Sequence, residues 1–255
     1  MANPVRLEHL TSPAVGQLQE QGERLIILPI GATEQHGPHL PINCDTVIAE
    51  RICEAASAKT QIPLLPTLRV TVSSGHTSKW PGTISLRHET FIQTLEDVSD
   101  WLVATGWQRL MLVNSHFGND AAIRVAVEKI RLRYLGKLQI GFQHTFRLSE
   151  KIWETFIADA EDLHANCAET DLMLFLTPDL VEMDRVEDDP DRTGECVFSY
   201  PVAQTSVNGV TGSPSQGDAG RGEALFEEMV EALVIVLEKA RHERAPLDPA
   251  YREAI

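Results

Sequence analysis

Apolar residues in this chain gather into short blocks separated by longer stretches of helical period. Arg24 to Ile30 is a brief run rich in Ile and Leu that ends at Gly31, the mark of a buried strand. Leu64 to Val72, Arg109 to Asn114 and Lys137 to Thr145 read as further strands. Between them, apolar positions recur at three and four residues, the spacing of one helix face. Asp45 to Lys59 places Val47, Ile48, Ile52 and Ala55 on one side. His88 to Thr105, about Asp120 to Leu135, Cys167 to Leu176 and Gly222 to Arg241 predict further helices. Such alternation predicts an α/β fold with a mostly parallel sheet covered by helices on both faces. Arg185 to Gly222 breaks the pattern: it is rich in Asp, Gly, Pro and Ser and reads as long surface loops, open to packing against a neighbouring subunit.

Composition narrows the picture. The 255 residues contain no internal repeat and no linker marking a boundary, so residues 1–255 are expected to form a single domain. At 43% hydrophobic and 23% charged residues the chain is globular. A formal net charge of −15 argues against nucleic acid or an anionic membrane as partner and leaves acid for bound cations to neutralise. The longest apolar runs, such as Leu25 to Ile30, are far too short to span a bilayer. Met1 to Arg6 lacks the apolar region of a signal peptide, so the expected location is cytoplasmic. Cys44, Cys53, Cys167 and Cys196 form no CxxC pair and read as free thiols of a reducing compartment.

The chemistry concentrates in three segments. In open parallel sheets, sites form beyond the carboxyl ends of the strands, and two of the segments sit there. The first is Gly31-Ala32-Thr33-Glu34-Gln35-His36-Gly37-Pro38-His39-Leu40-Pro41, followed by Asp45. Glu34 and His36 point the same way in an extended backbone. Taken singly, Asp45 would be a helix cap and His36 a core histidine. Together, a Glu, two His and an Asp this close after a strand point to metal binding. The second segment is Asn114-Ser115-His116-Phe117-Gly118-Asn119-Asp120, with His116 projecting from the sheet edge and Asn119 and Asp120 as helix caps. The third is His164-Ala165-Asn166-Cys167-Ala168-Glu169-Thr170-Asp171. A carboxylate in a first helical turn, such as Glu169, is favourable on dipole grounds alone. With His39 set aside, the three segments supply Glu34, His36, Asp45, His116, His164 and Glu169. This nitrogen and oxygen set accepts Zn, Mn or Fe, and six groups are more than one catalytic ion needs.

These motifs resemble the creatininase family, the creatinine amidohydrolases. The segment from Gly31 to Asp45 resembles the family's first metal motif, and Trp80-Pro81-Gly82-Thr83-Ile84-Ser85 resembles a segment near its active site. Asn114 to Asn119 is similar to the family's Asn-Gly-His-Gly-Gly-Asn, and His164 to Thr170 to its His-Ala-Gly-x-x-Glu-Thr. Val210-Thr211-Gly212 through Gly222 is also similar. The resemblance implies a three-layer α/β/α sandwich and two divalent metal ions per subunit. Glu34, Asp45 and His116 would hold one ion. His36, Asp45 and Glu169 would hold the other, with Asp45 bridging. His164 would shuttle the proton and Glu169 would share the catalytic role. Gly82 and Thr83, with Ser115 and Phe117 beside the second motif, would form the substrate pocket. The implied activity is hydrolysis of a C–N bond in a small cyclic amide or formamide by a homohexamer. Peptide trimming and a non-catalytic metal-binding role are the alternatives.

The chain departs from creatininase itself at several points. Gly118 stands where creatininase carries a metal-binding Glu, which makes Glu169 the implied ligand. Ala160 stands where creatininase has a Trp, with Trp153 further upstream. Ser115 and Asn166 replace family glycines. A phosphoester hydrolase finds no support, since no P-loop and no Arg cluster accompany the motifs.

Overall fold

A computed structural model describes residues 2–77 and 79–247. In chain order the regular elements are α1 (Ser12–Glu20), β1 (Leu25–Ile30), α2 (Cys44–Thr60), α3 (His88–Ala104), β2 (Arg109–Asn114), α4 (Asp120–Arg133), β3 (Gln139–His144), α5 (Glu150–Phe156), α6 (Cys167–Leu176), α7 (Val202–Thr205) and α8 (Ala219–His242). The strands are parallel in the order β1-β2-β3. Leu25 lies beside Arg109 and Ile30 beside Asn114, and Asn114 lies beside His144. The three carboxyl ends are therefore level.

Side chains alternate across a strand, so the buried runs of β1 and β2 feed two cores. Leu25, Ile27, Met111 and Val113 pack with α2, α5, α6 and α8. Ile26, Leu28, Ile30, Leu110 and Leu112 pack on the other face with α3 and α4. Helices thus cover both faces of a parallel sheet, as the alternation of patterns predicts.

The segment from Leu64 to Val72 differs from its expectation. It follows β1 as a ragged edge, joined by bridges at Ile27–Leu64 and Ile30–Leu68. The amides of Leu65 and Leu68 donate to the carbonyls of Ile27 and Pro29 at 2.8 and 3.0 Å. Pro66 has no N–H to offer a ladder, which keeps the segment from becoming a regular strand.

The other departures are local. Asn119 occupies the cap position of α4, yet its side chain caps nothing. It donates to Gly31 O and Asn114 Oδ1 and accepts from Val72 N, lacing three strand ends together. Asp120 pairs with Arg124 and His144 instead of capping. The 185–222 region is only partly surface loop, because Asp189, Ser206, Val210 and Thr211 are buried. Asp189 gathers it inward by accepting from Ser206 Oγ, Val207 N and Arg192 Nη2. The four cysteines are free. Among the described residues no helix is long and apolar enough to cross a membrane.

Candidate metal centre

The chain leaves β1 at Gly31 and crosses the sheet's carboxyl edge before α2 begins. Glu34, His36 and Asp45 are buried on this crossing. The helix cap position is Asn43, so Asp45 is free to turn its carboxylate inward. His116 arrives from the end of β2. Glu169 arrives from the first turn of α6, whose start is fixed by Asn166. The Asn166 side chain accepts from Glu169 N and donates to Phe156 O and Asp159 Oδ1. Asn166 is therefore the helix cap, which accounts for its presence where the family motif has glycine.

The six groups converge. His116 Nδ1 lies 2.8 Å from Glu34 Oε2 and 3.2 Å from Asp45 Oδ2. His36 Nε2 lies 3.6 Å from Asp45 Oδ1 and 4.0 Å from Glu169 Oε1. Asp45 thus turns one oxygen to each histidine. Glu34, Asp45 and His116 form one trio of converging ligand atoms, and His36, His164 and Glu169 form a second. A third trio joins Glu34 and His164 to His76, a residue the sequence reading passed over. His76 Nε2 is 2.7 Å from Glu34 Oε1. It follows the irregular edge segment after Val72. The rule that sites lie beyond strand ends, applied to that third edge, would have found it.

The outer ring nitrogens fix the tautomers. His36 Nδ1 donates to Glu34 O at 3.1 Å, and His116 Nε2 donates to Val72 O at 2.8 Å. In the neutral rings the inner nitrogens therefore present lone pairs toward carboxylates, the arrangement typical of metal-ligating histidines. With His116 neutral, Glu34 Oε2, Asp45 Oδ2 and Glu169 Oε2 are buried with no hydrogen-bond donor. Buried carboxylates of this kind are costly unless paired or coordinating a metal. The donor set fits divalent ions.

Protons respond to the same field. Burial works against a charged His36, but Asp45 and Glu169 outweigh it and raise its pKa to about 10. Burial works against a charged Asp45, but His36 and His116 bring it down to about 2. His116 is raised well above its ordinary range, the carboxylates of Glu34 and Asp45 outweighing burial. Glu169 is pushed up to about 7, chiefly by burial, with His36 opposing. His164 is held well below the usual histidine range by burial and then by His76 and His36. Its ring lies against both neighbours, with centroids 4.5 Å from His36 and 4.4 Å from His76.

A cavity of about 140 Å³ opens on this cluster, lined in part by Asp45, His76, His116, Phe117, His164 and Glu169. Phe117 stacks on Phe146 at 3.8 Å between centroids, with Trp153 6.2 Å away. Gly82, Thr83 and Ser115, expected in the substrate pocket, are not among the residues that line this cavity. Thr83 Oγ1 accepts from Gln35 N at 3.0 Å, and Ser115 Oγ accepts from Thr145 Oγ1 at 3.1 Å. His39 supports the loop: its Nε2 donates to Thr170 Oγ1 at 2.9 Å.

A model of the creatininase family, described as creatinine amidohydrolase, matches residues 8–237. The chain belongs to the creatininase family. The creatinine amidohydrolase of Pseudomonas putida is 30% identical over 232 residues, 83% of this chain and 88% of the relative. The mycofactocin precursor peptide peptidase of Mycobacterium ulcerans (strain Agy99) is 32% identical over 223 residues, 82% of each chain. A solved mutant creatininase of Zn-Zn type superposes with a TM-score of 0.82 at 26% identity, covering 94% of this chain and 99% of that one.

Within this creatininase-family fold, Gly118 has a local cause. A Cβ there would meet His116 Nε2 at 2.4 Å and Val72 O at 2.6 Å. The surroundings exclude a side chain at this position, and the buried carboxylates opposite His36 are Asp45 and Glu169.

Proposed function

We propose that this protein is a metal-dependent amidohydrolase that holds two divalent ions (zinc, manganese or iron) and cleaves a C–N bond of a small cyclic amide or formamide. The observation that carries the reading is the pair of donorless buried oxygens, Glu34 Oε2 and Asp45 Oδ2, that face the lone pair of neutral His116. Glu34, Asp45 and His116 would hold one ion, and His36, Asp45 and Glu169 would hold the other. Bound ions of this type lower the pKa of water toward ~7 and polarise a carbonyl oxygen. His164, neutral in its buried setting, accepts a proton from the attacking water and passes it to the leaving nitrogen. Phe117 walls the cavity. The small cavity volume favours a compact substrate.

Peptide trimming is the second reading, favoured by the comparable identity to the peptide peptidase. The assembly is a homohexamer acting in the cytoplasm, with no nucleic acid or membrane partner. A screen of cyclic amides, formamides and short peptides with metal-reconstituted protein tests the reading. Turnover should vanish on chelation and return with metal. Full-rate hydrolysis by metal-free protein would contradict it. His164→Ala should keep its metal and lose about 10²–10⁴-fold in kcat, the usual worth of a general acid–base group. Loss of metal instead would make His164 a ligand.

A further inference from the structure

We infer that Gln35 and His76 form a positioning pair that sets Glu34 for one ion and ties its orientation to the proton carrier His164. The inference rests on the two-ion reading above. It begins with the Gln35 amide, whose orientation two backbone groups fix. Its Oε1 accepts from Gly37 N at 2.9 Å, and its Nε2 donates to Gly209 O at 3.2 Å. The seat is closely shaped. Gly209 has φ +85°, and a Cβ there would meet Gln35 Oε1 at 2.1 Å.

An amide pinned this way has one hydrogen left. His76 Nδ1 and His164 Nε2 each lie 3.0 Å from Gln35 Nε2; His164 Nε2 carries a proton of its own toward Gln35 O at 2.8 Å, so His76 Nδ1 receives the amide hydrogen. In a neutral His76 the ring proton is therefore on Nε2, and Nε2 is the atom 2.7 Å from Glu34 Oε1. That contact occupies Oε1 and leaves Oε2 facing His116 and Asp45. A histidine with its proton on Nε2 has no lone pair there for a metal. His76 therefore acts on the ligand and not on the ion.

The same residue reaches the proton carrier. His164 Nε2 lies 2.8 Å from the backbone oxygen of Gln35 and donates to it. This leaves His164 Nδ1 as the basic nitrogen. Residue 35 thus sets two tautomers, His76 through its side chain and His164 through its backbone. Gln35 is buried and His76 half-buried.

The test is competition titration of metal-free protein with zinc against a chromophoric chelator, for wild type, His76→Ala, His76→Gln and Gln35→Glu. Loss of a group that orients a ligand costs about 10–100-fold in metal affinity. His76→Ala should weaken one of the two binding steps by that factor and leave the other unchanged. His76→Gln, which keeps an N–H at similar reach, should recover most of the loss. Gln35→Glu, of the same shape but without the amide donor, should weaken the same step. Two unchanged steps in folded His76→Ala would overturn the pair. So would a His76→Gln as weak as His76→Ala, since that result marks a ligand. A wild type that takes up no zinc would overturn the two-ion reading itself and this inference with it.

Discussion

His36 and Asp45 face each other across 3.6 Å with their pKa values drawn apart, to about 10 and about 2. In the metal-free protein this makes a pH window. Asp45 lies below its unfolded value of ~3.9, so its contribution is present above that value and fades as pH falls through about 2. His36 lies above its unfolded value of ~6.5, so its contribution is complete below that value and fades as pH rises through about 10. Thermal melts of metal-free protein should therefore show falling stability from pH 6.5 to 10. Zinc affinity should rise over the same range, because each ion displaces the imidazole protons. A flat melting temperature with pH-independent affinity would contradict this. At this scale Glu34, His36, Asp45 and His116 were legible because each sits in a dense motif just beyond a patterned strand. His76 was not, because it stands alone in Ser73-Ser74-Gly75-His76-Thr77, with no carboxylate or second histidine beside it. The inward turn of Asp45 was also hidden, since a carboxylate at a helix start has a sufficient local explanation as a cap.

The elements were legible wherever two cores bury them. β1 and β2 match their expected runs almost to the residue, and α2, α3, α6 and α8 match theirs within a few positions. The short α1 and α5 escaped because neither has enough apolar residues to show a period. The tight seam between α6 and α8 was invisible too, since it depends on backbone approach. A Cβ at Gly222 would meet Asp171 O at 1.9 Å, so Gly222→Ala forces the helices apart. Overpacking of this kind costs about 3 kcal/mol or more. The shift in urea midpoint measures it, and a change below about 1 kcal/mol would show that the seam yields. At the start of α8, Asp218 accepts from Arg221 N at 2.8 Å. Asp218→Ala should cost about 1 kcal/mol by the same measurement, with no change in metal content.

Across the whole molecule, level carboxyl ends of a parallel sheet collect loops from β1, β2 and the edge segment over one spot, and α6 closes it from the side. The 185–222 region completes the closure. The backbones of His164 and Thr211 exchange hydrogen bonds at 3.2 and 2.7 Å. That inward packing had no trace in the sequence, because an Asp- and Gly-rich stretch looks alike whether it lies on a site or in solvent. Since the centre draws on segments from 34 to 169, ion binding should stabilise the fold as a unit. With ions at one hundred times their dissociation constants, each site adds about 2.7 kcal/mol, so chelation should lower the melting temperature by roughly 5–10 °C per site. The central claim is the placement of two ions around Asp45, and anomalous diffraction from zinc-loaded crystals tests it most directly. The account predicts two peaks per chain, one among Glu34, Asp45 and His116 and one among His36, Asp45 and Glu169. A single peak, or peaks away from Asp45, would contradict it.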